Sequence, residues 1–145
     1  MIVIYTDGSY QHDVIGWAFV GCEPTETGLK IVKQANGIVT DPAVVSSNQI
    51  GGELKAVMAG VAWAINRRET EIEIRFDYVG CREWALKHWG AKKQVAKRYQ
   101  NWILSAIERF GLNIKWTHVK GHSGSTLNDL ADSLAKAATE GNYVS

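Results

Sequence analysis

Four acidic residues occupy places where carboxylates can converge on metal ions, namely Asp7, Glu53, Asp77 and Asp132. Asp7 and Asp77 each follow an apolar run typical of a strand, Glu53 begins a run of helical period, and Asp132 lies within another. Carboxylates meeting at one site repel one another unless cations lie between them. Oxygen ligands favour Mg²⁺ or Mn²⁺ over zinc, and two such ions about 4 Å apart suit phosphodiester chemistry. The pattern therefore predicts a phosphoryl-transfer site.

Each of the four residues also has an alternative role that involves no metal. Asp7 could be a turn residue in Thr-Asp-Gly-Ser, and Glu53 could interact with a helix dipole in a first turn. Asp77 could cap the helix that follows it, and Asp132 could be a solvated charge on an amphipathic helix. These alternatives stay open for each residue taken alone, whereas the combination of four favours a metal site.

The elements that must position these residues are predicted from hydrophobic period and turn residues. Strands are predicted at Ile2–Tyr5, Gly16–Val20, Leu29–Val39, Glu71–Phe76 and Ile114–Val119. Helices are predicted at Leu54–Ile65, Trp84–Trp89, Val95–Phe110 and Leu127–Ala138. The order favours an α/β fold with a five-stranded mixed sheet, three antiparallel strands then two parallel, and helices on both faces. We expect residues 1–145 to form a single domain, since the length is that of one domain.

Composition excludes several classes of protein. A chain that is 46% hydrophobic and 21% charged is not of the disordered kind. Its formal net charge of +1 argues neither for nor against a nucleic-acid partner. No apolar run approaches the roughly 20 residues of a membrane span and no secretory leader is visible, so we expect a cytoplasmic protein without membrane contact. Cys22 and Cys81 lack the spacing of a zinc site and are expected to be reduced thiols.

Five segments together resemble ribonuclease H of the type 1, bacterial-like family. They are YTDGSY (Tyr5–Tyr10), GGELKAVMAG (Gly51–Gly60), FDYVG (Phe76–Gly80), VKGHSG (Val119–Gly124) and NDLADSLAKAA (Asn128–Ala138). Each segment alone is a weak signal, but all five occur in the family's order. The resemblance implies a ribonuclease H-like fold. It also implies an endonuclease that hydrolyses the RNA strand of an RNA–DNA hybrid and leaves 3′-hydroxyl and 5′-phosphate ends.

The resemblance also implies roles for individual residues. Asp7 would bridge two Mg²⁺ ions, for which Mn²⁺ is a possible substitute. Glu53 and Asp77 would complete the coordination of one ion, and Asp132 would help to hold the other. The family pattern has Asn four residues before this last ligand and Asp-x-Leu-Ala at it, which selects Asp132 over Asp129. His122 resembles the family's mobile histidine, proposed to move protons or assist product release, and the alternative is an ordinary surface histidine.

Substrate contacts are expected from two further groups of residues. A basic cluster takes the place of the family's basic protrusion, which touches the DNA strand, and consists of Lys87, Trp89, Lys92, Lys93, Lys97 and Arg98. We expect Trp89, Lys92 and Lys93 to contact the sugar-phosphate backbone, unless the cluster is only a solvated surface. Near the carboxylates, Ser9, Asn48 and Gln49 are expected to contact the hybrid. Here the sequence departs from the family, because Gln11-His12-Asp13 replaces the usual glycine-rich loop.

Two other functions remain as alternatives at this stage. One is another nuclease or strand-transferase that shares the fold, against which the Lys-Gly-His-Ser-Gly loop and the basic cluster argue. The other is a catalytically silent hybrid-binding module. Four carboxylates argue against it, because a pure binder would gain nothing by placing negative charges against phosphates. No feature requires a protein partner, and we expect a monomer.

Overall fold

The protein was analysed as a computed structural model, which describes residues 1–41, 47–120 and 126–144. The strands are β1 (Ile2–Gln11), β2 (Val14–Thr25), β3 (Gly28–Ile38), β4 (Glu71–Phe76) and β5 (Asn113–His118). The helices are α1 (Gln49–Asn66), α2 (Gly80–Ala85), α3 (Gln94–Phe110) and α4 (Thr126–Thr139). The strands form one sheet in the order β3-β2-β1-β4-β5, with β1, β2 and β3 antiparallel and β4 and β5 parallel to β1. The predicted mixed sheet is confirmed.

Hydrophobic cores lie on both faces of the sheet because neighbouring residues of a strand point to opposite sides. Ile2 and Ile4 of β1 belong to the core that α1, α2 and α3 cover. Val3 and Tyr5 belong to a second core, which α4 covers with Ala131, Leu134 and Ala135. The prediction of helices on both faces is therefore confirmed. None of the helices in the described part of the chain combines the length and the apolar character needed to cross a membrane.

Strand β1 is longer than the sequence suggested, and the difference changes the status of Asp7. We expected the strand to stop at Thr-Asp-Gly-Ser, but Asp7 pairs with Ala18 within the antiparallel ladder. The chain instead reverses at His12 and Asp13, whose φ angles of 55° and 59° are left-handed. The turn propensity of Asp-Gly is overridden because β2 supplies a partner for every residue from Val3 to Gln11. The turn alternative for Asp7 is therefore wrong.

The predicted helix at Trp84–Trp89 is also wrong, since α2 begins at Gly80 and ends at Ala85. Beyond it, Lys87 adopts a left-handed φ of 62°, and the backbone N–H groups of His88 and Trp89 donate to the Glu83 carbonyl. This turn brings Trp89 edge-on against Trp84, with ring centroids 5.5 Å apart. The segment after Ala85 thus holds Trp89 against Trp84 through a turn and not through a continuing helix.

The two cysteines are free, as predicted, and both are buried. Cys22 belongs to the core beneath α4 and Cys81 to the core on the opposite face.

Candidate active site

The register of the parallel strands brings Asp7 and Asp77 together. Tyr5 of β1 is aligned with Arg75 of β4, and each aspartate lies two residues further along its own chain. The two aspartates therefore stand at the same height on adjacent strands, whose backbones lie about 4.8 Å apart in a sheet. The prediction that both lie at one end of the parallel strands holds, even though β1 itself continues past Asp7.

Glu53 reaches the two aspartates because α1 packs its backbone directly on the sheet. A Cβ added to Gly8 would lie closer than 3.0 Å to the Glu53 nitrogen, and one added to Gly52 equally close to the Gly16 oxygen. Only glycine allows backbones to approach so closely. Glu53 lies beyond the first turn of α1, which contains no acidic residue, and its side chain is buried. The alternative role at the helix dipole therefore does not hold.

Asp7, Glu53 and Asp77 form what we call the carboxylate cluster. One ligand atom from each of the three lies within 4.8 Å of those of the other two. Glu53 is only 2% exposed, and its Oε2 atom has no hydrogen-bond partner among the described residues. A buried polar atom without a partner is costly, and three converging oxygen donors suit a hard divalent cation. The cluster therefore fits Mg²⁺ or Mn²⁺. Capping does not explain Asp77, because the N-cap position of α2 belongs to Val79.

The electrostatics of the cluster point to the same chemistry. Burial raises the pKa of Asp7 from its ordinary value of 3.8 to about 7; the Asp132 carboxylate adds to the rise, while hydrogen bonding with Glu53 and Gly8 opposes it. The Gly8 N–H donates to Asp7 Oδ1 at 2.9 Å. Burial and then the charge of Asp7 raise the pKa of Glu53 well above its ordinary range. Carboxyl groups in such a site are stabilised as anions by a bound cation.

Asp132 approaches the cluster from α4, on the other side of β1. It lies close enough to Asp7 for hydrogen bonding and charge to raise the pKa of that residue, although it is not one of the three carboxylates that share the 4.8 Å group. Asp129, the other candidate, is exposed in the first turn of α4. Lys136, which the sequence reasoning missed, donates to Asp132 Oδ2 at 3.0 Å. The signal that could have identified Lys136 is its position four residues after Asp132 on the same helix, where an ion pair can form.

The last residue of β5 is a histidine that lies next to Asp77. His118 is exposed, and its Nε2 lies 2.7 Å from the backbone oxygen of Asp77, where a protonated Nε2 donates a hydrogen bond to that carbonyl. Its ring also packs against Phe76, with centroids 5.5 Å apart. His118 thus supports the backbone next to the cluster, a contact that the sequence did not reveal. His122 lies outside the described residues, and its role stays a prediction.

Beside the cluster lies a groove of about 430 Å³, here called the aromatic–basic groove, lined by Ser47, Asn48, Ile50, Tyr78, Trp84, Gly90, Lys92, Lys93, Val95 and Ala96. The structure thus brings together three of the predicted substrate residues, Asn48, Lys92 and Lys93. Tyr78 and Trp84, whose rings contact each other with centroids 6.0 Å apart, were not predicted. Their aromatic character next to Asp77 was the signal that could have identified them.

The three remaining predicted substrate residues, Ser9, Gln49 and Trp89, do not line the aromatic–basic groove. Gln49, the first residue of α1, lines a smaller depression together with Glu53 and Asp77. Trp89 is 40% exposed and packs on Trp84 at the edge of the aromatic–basic groove. Ser9 is 6% exposed within β1. Contacts between these three residues and a substrate stay predictions.

Comparisons with known proteins agree with this architecture. The sequence profile of the RNase H family matches residues 1–140. A ribonuclease H from Ruthia magnifica subsp. Calyptogena magnifica is 31% identical over 154 residues, covering 96% of this chain and 95% of the relative. RNase H1 from Halobacterium salinarum is similar in fold, with a TM-score of 0.73, 19% identity, and coverage of 97% and 98% of the two chains. LC11-RNase H1, solved in complex with an RNA/DNA hybrid, has a TM-score of 0.73 and 15% identity, with coverage of 96% and 99%.

Proposed function

The chain belongs to the RNase H family and is a ribonuclease H enzyme; on that premise we propose that it hydrolyses the RNA strand of RNA–DNA hybrids by two-metal-ion catalysis, leaving 3′-hydroxyl and 5′-phosphate ends. The observation that carries the mechanism is the carboxylate cluster, with its buried and unpartnered Glu53 oxygen. We also propose that the protein is a cytoplasmic monomer and that it uses Mg²⁺, or Mn²⁺ in its place.

Each carboxylate has a defined task in this proposal. Asp7, Glu53 and Asp77 would hold one Mg²⁺, and Asp7 together with Asp132 would hold the other. When bound, such ions supply an activated water and stabilise the leaving oxygen of a phosphodiester. Burial of Asp7 and Glu53 keeps bulk water away from their inner oxygens and strengthens their attraction for cations. His122 is proposed to move a proton or to assist product release, as the family resemblance implies.

The substrate is proposed to lie across the cluster and the groove, with the RNA strand over the carboxylates. Hybrid binding by LC11-RNase H1, which shares the fold, supports this class of substrate. In the aromatic–basic groove, the exposed Lys92 and Lys93 would contact phosphates of the DNA strand without regard to sequence. Asn48 and Gln49, exposed at the start of α1, are placed to recognise 2′-hydroxyls, which distinguish RNA from DNA.

A cleavage assay with matched substrates tests the proposal. Purified protein with Mg²⁺ is incubated with one labelled RNA sequence as a single strand, paired with DNA and paired with RNA, and with the corresponding DNA duplex. We expect cleavage only of RNA paired with DNA, and products whose 3′ ends a polymerase extends without prior treatment. Equal cleavage of single-stranded RNA or duplex DNA would contradict the assignment. Hybrid binding without any cleavage would instead support the silent binding module, and full activity of Asp132→Asn would contradict only the choice of fourth ligand.

A further inference from the structure

Asp132 differs from the carboxylate cluster in what it contacts. Lys136 Nζ lies 3.0 Å from its Oδ2 atom, and the two residues are one helical turn apart on α4. Hydrogen bonding with Asp132 is the main cause that raises the pKa of Lys136, and the charge of Asp7 contributes as well. The ammonium group therefore lies within the electrostatic reach of both carboxylates proposed to hold the second ion.

The turn of α4 that carries this ion pair is fixed to the sheet. Asn36 of β3, which is 8% exposed, donates from Nδ2 to the carbonyl of Leu134, at a distance of 2.8 Å. Leu134 lies midway between Asp132 and Lys136 and is itself buried. The backbone positions of the two charged residues are therefore set by a buried contact, and replacement of the exposed end of Lys136 should leave them unchanged.

We propose that Lys136 is a positioning residue that makes the two metal sites unequal, by holding Asp132 and lowering the affinity of the Asp7–Asp132 site for a divalent cation. The proposal rests on the proposed function and concerns the regulation of the same site. Lys136 donates to one Asp132 oxygen, which leaves fewer lone pairs for a cation, and its positive charge opposes the entry of another. Among the described residues, no Lys or Arg side chain forms an ion pair with Asp7 or Glu53, whereas Asp132 is paired with Lys136.

The expected size of this effect follows from Coulomb's law. A single positive charge repels a divalent cation that lies about 5 Å away in a watery environment. This repulsion lowers the affinity for the cation by a factor on the order of ten. Lys136 is 45% exposed and Asp132 is 24% exposed, so salt should reduce the effect. The Asp7–Asp132 site should therefore respond to Lys136 more strongly than the cluster does, because Lys136 is bonded to Asp132, which is not a member of the cluster.

A Mn²⁺ titration tests the proposal without any catalytic turnover. The free Mn²⁺ signal in electron paramagnetic resonance counts the ions bound by the wild type and by Lys136→Gln, Lys136→Arg and Lys30→Gln at low salt. We expect Lys136→Gln to tighten the weaker site on the order of tenfold and the tighter site by about threefold or less. Lys136→Arg keeps the ion pair and should restore the wild-type ratio. Lys30→Gln removes the same charge from an exposed position in β3 and should change neither site.

The outcomes separate this proposal from the proposed function. One outcome is that two Mn²⁺ ions bind to each protein with the same ratio between the affinities of the two sites in the wild type and in Lys136→Gln. That result would contradict the role of Lys136 but leave the two metal sites in place. A single Mn²⁺ in both proteins also contradicts it. If no Mn²⁺ binds to either protein, the metal-dependent function fails together with it. A single ion on the wild type and two on Lys136→Gln over the same concentration range would support the proposal.

Discussion

The carboxylate cluster and the aromatic–basic groove are adjacent, yet they are built in opposite ways. Asp7 and Glu53 of the cluster are buried and Asp77 is half-buried, and the cluster's geometry depends on backbone contacts between α1 and the sheet at Gly8 and Gly52. The groove is lined by residues from several short stretches, namely the start of α1, the neighbourhood of α2, the segment after α2 and the start of α3, and its Lys92 and Lys93 are exposed. Reacting atoms must be positioned within about 0.5 Å, whereas charge attraction tolerates displacement. The difference predicts large effects on rate from changes in the cluster and modest, salt-dependent effects on affinity from changes in the groove.

The largest effect is expected from Asp7→Asn, which removes a charge that both proposed metal sites share. Activity in Mg²⁺ should fall by about a thousandfold or more, because metal ions stabilise the reaction by several kcal/mol and each 1.36 kcal/mol is tenfold in rate. Single-turnover cleavage of a labelled hybrid measures the loss. Hybrid affinity, measured by fluorescence anisotropy, should change little, since the groove is intact. A similar loss of affinity and of rate would show that the two regions are not separable.

The second prediction tests whether backbone packing positions the cluster. Gly52→Ala places a methyl group against the Gly16 carbonyl of β2, so α1 must shift and carry Glu53 with it. Overpacking of this kind costs about 1–3 kcal/mol of stability, and misplacement of a reacting group by 1 Å costs about a hundredfold in rate. Thermal unfolding and cleavage rate measure the two consequences.

Gly90→Ala is the matched control, because nothing lies within 4 Å of a Cβ added there in the groove region. Gly90→Ala should leave the thermal unfolding like that of the wild type and the rate of cleavage within about twofold of it. Full activity of Gly52→Ala in a protein of unchanged stability would contradict the argument that close backbone contact positions Glu53.

The two regions also differ in how far the sequence predicted them. Asp7 and Asp77 could be paired from the sequence because parallel strands place their carboxyl ends together, although the extent of β1 was misjudged. The helix before the groove was placed wrongly because a left-handed Lys87 and the contact of Trp89 with Trp84 are tertiary features. Nothing in residue period indicates that Gly52 touches Gly16. The sequence thus predicted the chemistry of the site, while its packing required the structure.

A third prediction concerns the pH dependence of stability without metal. Burial raises the pKa of Asp7 in the native protein to about 7, against 3.8 in the unfolded chain, so the native state binds more protons between these values. The stability of the native protein therefore decreases as pH rises from about 4 to 7. The raised pKa of Glu53 also makes stability decrease with rising pH. In EDTA, the wild type should have a higher Tm at pH 5.5 than at pH 8.5, by on the order of 5 °C.

Two comparisons sharpen this third prediction. Asp7→Asn cannot titrate at position 7, so its Tm should change less between the two pH values than that of the wild type. Mg²⁺ should raise the Tm of the wild type more at pH 8.5, where the carboxylates are ionised, than at pH 5.5. An equal pH dependence of Tm in the wild type and Asp7→Asn would refute the assignment of the raised pKa to Asp7.

The smallest effect is expected from the groove, in the double variant Lys92→Gln/Lys93→Gln. Loss of two phosphate contacts should weaken hybrid binding by about tenfold at low salt and reduce the slope of log affinity against log salt by roughly 2. Binding is measured in an Asp7→Asn background, which prevents cleavage, and Lys30→Gln/Lys33→Gln removes the same charge from β3 as the control. In the cleaving protein, the variant should raise KM and leave kcat nearly unchanged, because neither lysine belongs to the carboxylate cluster. A fall in kcat as large as that of Gly52→Ala would show that the groove helps to position the scissile phosphate, and the distinction between the two regions would not hold.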